Sequence, residues 1–439
     1  MIIETVYQDH MTQILIKNGY ILTMNGSPIS NGCVLIEDNK IAYVGKEDQP
    51  AEQVIDARGC IVMPGLINAH THGAMTLFRG YCDDTSLKQW LEDNMWPIEA
   101  QLTDNDIYTG TLLACLEMIR SGTTAFADMY FHMDKAAEAV DESGLRAALS
   151  YGMIELGDED KGKKELSEGR RFVRKWNGAA QGRITTMYGP HAPNTCSKAF
   201  LGNVKENALE DNVRIHIHVL ETEAELNKMK EQYGMCSVNM LDELGFLGPD
   251  VLAAHTIWLS PGDMDILARK GVSSVHCPVS NMKLASGIAP VPELLSRDVN
   301  VALGTDGTAS NNSLDMFEEM KTAALLHKVN SMDPTALPAN EALKMATYNG
   351  AKALGIPAGM LKVGMAADII IVDMNKPHLV PVHNHMSHLV YAAKGSDVRT
   401  TIVDGHILME DGKVLSMDQN RVMEQAAYAA KRLADSVKK

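Results

Sequence analysis

Eight short apolar runs, separated by longer helix-like stretches, fill the middle of this chain and leave few folds open to it. They read GLINAHTH (65–72), GTTAFADM (122–129), RAALSYGM (146–153), RITTMYGPHA (183–192), RIHIHVLE (214–221), VLAAHTIWL (251–259), SSVHCPVSN (273–281) and NVALGTDG (300–307). Segments between them, such as DNDIYTGTLLACLEMIRSG and KAAEAVDESG, carry helical spacing, and the second halts at Gly144, a residue type suited to a helix C-terminus. Strands that alternate with helices predict a parallel sheet. Eight of them predict a (β/α)8 barrel of the TIM type, with a doubly wound sheet as the alternative. At 439 residues the chain exceeds what one hydrophobic core normally serves, so a second domain is expected.

The flanks supply it. Residues 13–62 and about 367–416 are written in short β-like pieces with Gly- and Asn-bearing turns, including a hairpin at Asp38-Asn39. We assign 1–62 and 364–439 to one small β-sandwich built from both chain ends, and 63–363 to the barrel. The closing QNRVMEQAAYAAKRLADSVKK is amphipathic and predicts a terminal helix.

Barrels of this kind build their sites at the C-terminal ends of the strands, and there the ionisable residues gather. The first run ends in His70-Thr71-His72, the second in Asp128 and the fourth in His191. The fifth ends in His218 with Glu221 three residues on; the sixth carries His255, the seventh His276, and the eighth ends in Asp306. Of the 15 histidines, seven (70, 72, 191, 216, 218, 255 and 276) lie at such ends. Unrelated structural histidines have no reason to converge on one rim. Residues i and i+2 of a strand share a face, so His70 and His72 point one way and Thr71 the other. His70, His72 and His218 with Asp306 make three imidazoles and a carboxylate, a donor set suited to one divalent ion, Zn²⁺ first and Fe²⁺ or Mn²⁺ as alternatives. Such an ion lowers the pKa of bound water from about 16 to about 7. If the chain turns out of the strand after His218, Glu221 faces the substrate as a proton donor, while His255 and Asp306 accept the proton of the water. His216 shares a face with His218; we assign the ligand to His218, which lies nearer the strand end and Glu221. The second HxH, in HNHMSH at 383–388, has no strand ladder or distant carboxylate beside it and reads as a loop or subunit contact. Cys196 and Cys277 lie near the rim with no base arrangement, which argues against a cysteine nucleophile.

The net charge of −16 argues against nucleic acid or an anionic membrane as partner. No apolar run approaches the roughly 18 residues of a membrane span. The first residues lack a secretory signal's apolar core. Seven dispersed cysteines without a CxxC fit a reducing cytoplasm.

PGLINAHTH, HVLE, AAHTIWL, HCPVSNMKLASGIAP and LGTDGTASNNSLDMFEEMK, in this order, resemble the amidohydrolase superfamily, nearest its 5-methylthioadenosine/S-adenosylhomocysteine deaminases. The resemblance spans nearly the whole chain. It implies a zinc-type metal on His70, His72, His218 and Asp306. It also implies Glu221 as the acid that protonates a purine ring nitrogen, His255 beside the attacking water, and Asp306 passing a proton to the leaving ammonia. Members with two metals carry a bridging lysine or acid on the fourth strand. Here that strand has His191, which implies one metal and a substrate-binding role for His191. The glutamate of WPIE, Glu99, resembles the residue that binds ribose hydroxyls, and Trp90 and Trp96 are candidates for the nucleoside pocket. These deaminases commonly place an arginine after the third strand; here Tyr151 stands there and is assigned to substrate binding. Lys163, Lys164, Arg170 and Arg171 nearby read as ordinary solvated charge. The implied activity is hydrolytic deamination of an adenine nucleoside by a homo-oligomer. The alternatives are an aminohydrolase of guanine, pterin or triazine type, a cyclic-amide hydrolase, and a non-catalytic assembly protein on the same fold.

Overall fold

The structure, a computed structural model, describes residues 13–85 and 89–437. The N-terminal residues read for a signal sequence lie outside the described residues. β1 (Gln13–Ile21), β2 (Ile29–Glu37), β3 (Lys40–Gly45), β4 (Gln53–Asp56) and β5 (Cys60–Pro64) come first. The hairpin expected at Asp38-Asn39 joins β2 to β3. Eight parallel strands follow: β6 (Leu66–Thr71), β7 (Thr123–Tyr130), β8 (Arg146–Met153), β9 (Ile184–Pro190), β10 (Arg214–Val219), β11 (Val251–His255), β12 (Ser273–His276) and β13 (Asn300–Leu303). Seven fall inside one of the eight apolar runs, and β7 passes the end of its run by one residue, Tyr130. β14 (Ile369–Asp373), β15 (Val398–Val403), β16 (His406–Glu410) and β17 (Lys413–Val414) complete the strands, and the terminal helix runs Gln419–Val437. The two flanks meet as expected, in one nine-stranded mixed sheet, where β14 pairs antiparallel with β5 and β5 pairs parallel with β1. Among the described residues no helix is long and apolar enough to cross a membrane.

Alternation along the barrel strands sorts the side chains. Ile67, Ala125, Ala148, Met187, Leu252, Val275 and Ala302, one from each of seven strands, pack together in the interior. Their neighbours of opposite parity, such as Phe126, Leu149, Tyr188 and Val301, join the larger core between strands and helices. The barrel is nearly closed: β6 and β13 are joined by side chains and loop backbone at the site end rather than by a ladder. Asn68 Nδ2 donates to Thr305 Oγ1 at 2.7 Å, and the Asp306 amide donates to the His70 carbonyl at 2.9 Å. Gly304 is required at this seam, because a Cβ there would lie 2.8 Å from the His70 nitrogen. The closure therefore sets two prospective metal ligands, His70 and Asp306, side by side.

Arg146, at the start of β8, ties the barrel to the mixed sheet. Its guanidinium reaches Asp368 at 2.8 and 3.1 Å and Asp404 at 2.9 Å, all three buried. Removing one partner of such a buried cluster leaves the others charged and unmatched. Arg146→Met is expected to destabilise the protein by about 3–5 kcal/mol and to lower its thermal and urea midpoints while kcat is retained. A loss below about 1 kcal/mol, the size of a surface ion pair, would show that the cluster does not hold the two parts together.

Candidate active site

Six of the strands deliver ionisable or aromatic groups to one open cavity at the C-terminal mouth of the barrel. His70, His72 and His218 bring ligand atoms within 4.8 Å of one another, and His70, His255 and Asp306 form an overlapping set. His72 donates its Nδ1–H to the Met129 carbonyl at 2.5 Å, and His218 donates its own to the His191 carbonyl at 2.7 Å. In the neutral ring each Nε2 then carries a lone pair turned to the cavity. His70 contacts His216 at 2.8 Å (Nδ1 to Nε2), and the second nitrogen of His216 lies 3.3 Å from Ser150 Oγ. Thus His216 sits behind His70, and it is His218 that groups with His70 and His72. The Nε2 atoms of His70 and His72 lie 3.4 and 3.3 Å from Asp306 Oδ1. The His70 Nε2 is buried without a hydrogen-bond partner. Lone pairs converging on a carboxylate oxygen repel one another unless a cation sits among them, so the donor set fits a divalent metal. Burial lowers the pKa of His70 to about 4 and that of His218 well below its ordinary value, which keeps both rings neutral as ligands must be.

Around this centre lie the proton-handling groups. Glu221 Oε2 is 3.8 Å from His255 Nε2. Enclosure in the cavity raises the Glu221 pKa. Burial works against charging His255, yet Glu221 and Asp306 outweigh it and raise its pKa. Burial likewise opposes the charge of Asp306, but the surrounding imidazoles hold its carboxyl well below the usual range. His255 Nδ1 is anchored by Asn281 Oδ1 at 3.0 Å. Asp306 Oδ2 accepts from Ser280 at 2.6 Å and from Ser310 at 2.9 Å. These three supports escaped the sequence reading, although Ser280 and Asn281 stand in the HCPVSN run and Ser310 lies four residues beyond Asp306.

Glu99 faces the same cavity and accepts a hydrogen bond from Tyr130 at 2.5 Å. Burial raises its pKa. His191 lines the cavity with its Nδ1 3.0 Å from Thr195 Oγ1, and burial lowers its pKa to about 4. Trp90 and Trp96 are on the wall as expected, and the buried Trp90 N–H has no partner. Tyr151 does not reach the cavity, which corrects its assignment to substrate binding. It alternates with Gly152, which does line the cavity, so its ring turns outward against Gly169 and its hydroxyl bonds to Glu165. His276 also alternates outward and meets His327 at 3.1 Å, away from the metal ligands. Asp128 holds the Gly73 amide at 2.8 Å. The basic run forms surface pairs, Arg170 with Glu210 and Arg171 with Asp134, as expected of solvated charge.

The sequence comparisons agree with this geometry. The model of the amidohydrolase family matches residues 61–408. The chain is 64% identical to a 5'-deoxyadenosine deaminase of Methanosarcina mazei, over 97% of this chain and 100% of the relative. It is 50% identical to a 5-methylthioadenosine/S-adenosylhomocysteine deaminase of Pelotomaculum thermopropionicum, over 97% of this chain and 100% of the relative. Its fold superimposes on a zinc-bound adenosine deaminase from Xanthomonas campestris with a TM-score of 0.92 and 33% identity, over 97% of this chain and 99% of the other. A metal-ligand constellation on a barrel of this topology, together with a family match that runs from β5 into β16, leads to one conclusion: the chain belongs to the amidohydrolase family.

Proposed function

We propose that this protein hydrolytically deaminates adenine nucleosides at C6, and that it favours those whose 5' substituent is uncharged. The first part rests on Glu221, His255 and Asp306 meeting around one cavity, and on the activities named for its relatives. His70, His72, His218 and Asp306 would hold the metal, which we take to be Zn²⁺, and a bound ion would supply a water activated at neutral pH. Glu221, whose enclosure penalises the charged form, delivers a proton to N1 of the purine. Protonating N1 makes C6 electrophilic, and the water oxygen bonds there as the ring electron pair moves to N1. His255, fixed through Asn281, orients the water by its Nε2. Asp306 takes one water proton and passes it to N6, so that the C6–N6 bond breaks and ammonia leaves. The remaining hydroxyl proton returns to Glu221 as the ring carbonyl forms, which balances the reaction. Glu99, held by Tyr130, is placed to accept from ribose hydroxyls, and His191 borders the purine.

The second part rests on one observation: among the described residues that line the cavity there is no lysine or arginine. The cavity wall carries apolar side chains instead, among them Trp90, Leu91, Trp96, Ile154 and Leu284. A carboxylate and an ammonium on the 5' substituent would lose water there without gaining a partner, at about 1–3 kcal/mol for each unsatisfied group. Measured side by side, kcat/KM for 5'-deoxyadenosine and methylthioadenosine is expected to exceed that for S-adenosylhomocysteine by about tenfold or more, following the same penalty. Equal efficiency on all three would overturn the specificity reading. Absence of hypoxanthine-type product from any of them, with metal bound, would overturn the deamination reading.

A further inference from the structure

The position of Glu221 needs an explanation that strand geometry does not provide. On β10, His216 and His218 point into the barrel, His216 behind His70 and His218 to the cavity, while Ile217 and Val219 face the helices. Continued alternation would put Leu220 inside and Glu221 outside. The structure has the reverse: Leu220 is buried in the outer core and Glu221 lines the cavity. The reversal occurs at Leu220, whose φ is +51°, a left-handed conformation that a leucine adopts only where its surroundings impose it.

Glu225 is what surrounds it. One carboxylate oxygen accepts from the Leu220 amide at 3.0 Å and from Ser237 Oγ at 2.9 Å, and the other accepts from the Glu221 amide at 3.0 Å. The Leu220 carbonyl is engaged from the far side by the amides of Ile257 and Trp258. In sequence, Thr222-Glu-Ala-Glu225 reads as an ordinary capping box, and half of one is present: Thr222 caps the helix Glu223–Tyr233 by accepting from the Glu225 amide at 3.1 Å. The reciprocal bond of a capping box would run from the Glu225 side chain to the Thr222 amide. Here the side chain reaches past Thr222 to the two residues that carry the kink. Glu225 is 6% exposed and Ser237 fully buried, so this carboxylate serves no solvent-facing purpose.

The geometry points to Glu225 as the positioning residue that holds the Leu220 kink and thereby keeps the Glu221 carboxyl aimed into the cavity. This rests on the reading of Glu221 as proton donor. The side chain touches no metal ligand, so its effect should be on proton delivery and not on metal or substrate binding.

The test compares Glu225→Gln, Glu221→Gln and the double variant as metal-loaded enzymes. In Glu225→Gln an amide N–H₂ replaces one acceptor and opposes a backbone N–H. We expect kcat to fall by roughly 10²-fold, the scale of a misplaced reacting group, with KM within a few-fold and metal content unchanged. Because Glu225 acts through Glu221, the double variant should be no slower than Glu221→Gln alone. Normal kcat in Glu225→Gln, or a double variant slowed by the product of the two single effects, overturns the inference. A fully active Glu221→Gln instead overturns the reading of Glu221 itself, so the two failures are distinct. Should Glu225→Gln not fold, Ser237→Ala loosens the same carboxylate more gently. A few-fold loss of kcat that disappears in the Glu221→Gln background supports the inference, and unaltered kcat overturns it.

Discussion

Glu221→Gln is expected to lower kcat by about 10²–10⁴-fold, the range contributed by a positioned general acid, while the protein keeps its fold and its metal. Glutamine matches the shape of the carboxyl group and its place on the wall, but it has no proton to give to a ring nitrogen. The loss should therefore fall on kcat, with KM shifted far less. The pH profile adds an independent check. Enclosure raises the pKa of Glu221, and the neighbouring Asp306 adds to the rise although His255 opposes it. Activity needs the protonated form, so it is present below that pKa and declines as pH rises through it. The alkaline limb of kcat/KM that reports this proton should be absent from the residual activity of the variant. Stopped assays of ammonia release, paired with metal analysis of the same samples, separate the outcomes. A kcat within tenfold of the wild type would remove Glu221 from the chemistry. A variant that had lost its metal would make it a structural residue instead.

What the sequence disclosed about this site, and what it withheld, follows from strand parity. The alternation of runs and helices located all eight barrel strands, because an apolar run bounded by helices has few other ways to bury both its faces. The pairing of β5 with β14 was suggested only by similar texture at the two chain ends; no local rule links Cys60–Pro64 to Ile369–Asp373, so far along the chain. Within strands, alternation is a reliable guide, and applied to Tyr151 and His276 it turns both outward. Yet three site residues break it. His70 leaves the parity of Ile67 and Ala69 at an irregularity of register between Asn68 and Thr71. Glu221 does so beyond the left-handed Leu220, and His255 does so in its own backbone, with φ at +71°. Asp306 has φ at +62° as well. Backbone held in such regions costs on the order of 1–3 kcal/mol per residue. It persists here because the clamps that impose it (Glu225 on Leu220, the His70 carbonyl on the Asp306 amide) come from distant sequence or from side chains with a blander reading. A pattern of residue types is legible along a chain; a departure from regular geometry that depends on tertiary partners is not. Ser280, Asn281 and Ser310 were missed for the same reason, since nothing in their spacing tells a hydroxyl or amide that orients a catalytic group from one that caps a turn.

Removing the metal should have an effect of comparable or greater size. Dialysis against a strong chelator is expected to reduce activity to below about one-thousandth, because free water has a pKa near 16 and the remaining groups cannot ionise it at neutral pH. The protein's own residues explain why the loss should be reversible and should show in stability as well. Without a cation, Asp306 Oδ1 confronts the lone pairs of His70 and His72 at 3.4 and 3.3 Å, and the buried His70 Nε2 has no partner. Adding back a divalent ion should restore activity and raise the thermal midpoint, by about 4 kcal/mol of linkage when the free ion stands a thousandfold above its dissociation constant. Saturation should come at one ion per chain. A binuclear site would need a bridging group from β9, and there His191 offers Nδ1 to Thr195 instead. Two equivalents of bound metal would contradict this. The seven rim histidines should then divide by position. Alanine at His70, His72 or His218 should abolish stoichiometric binding, whereas His276→Asn should retain the full equivalent, because that ring turns outward to His327. If His276→Asn lost the ion while His218→Ala kept it, the triad assigned here would be the wrong one.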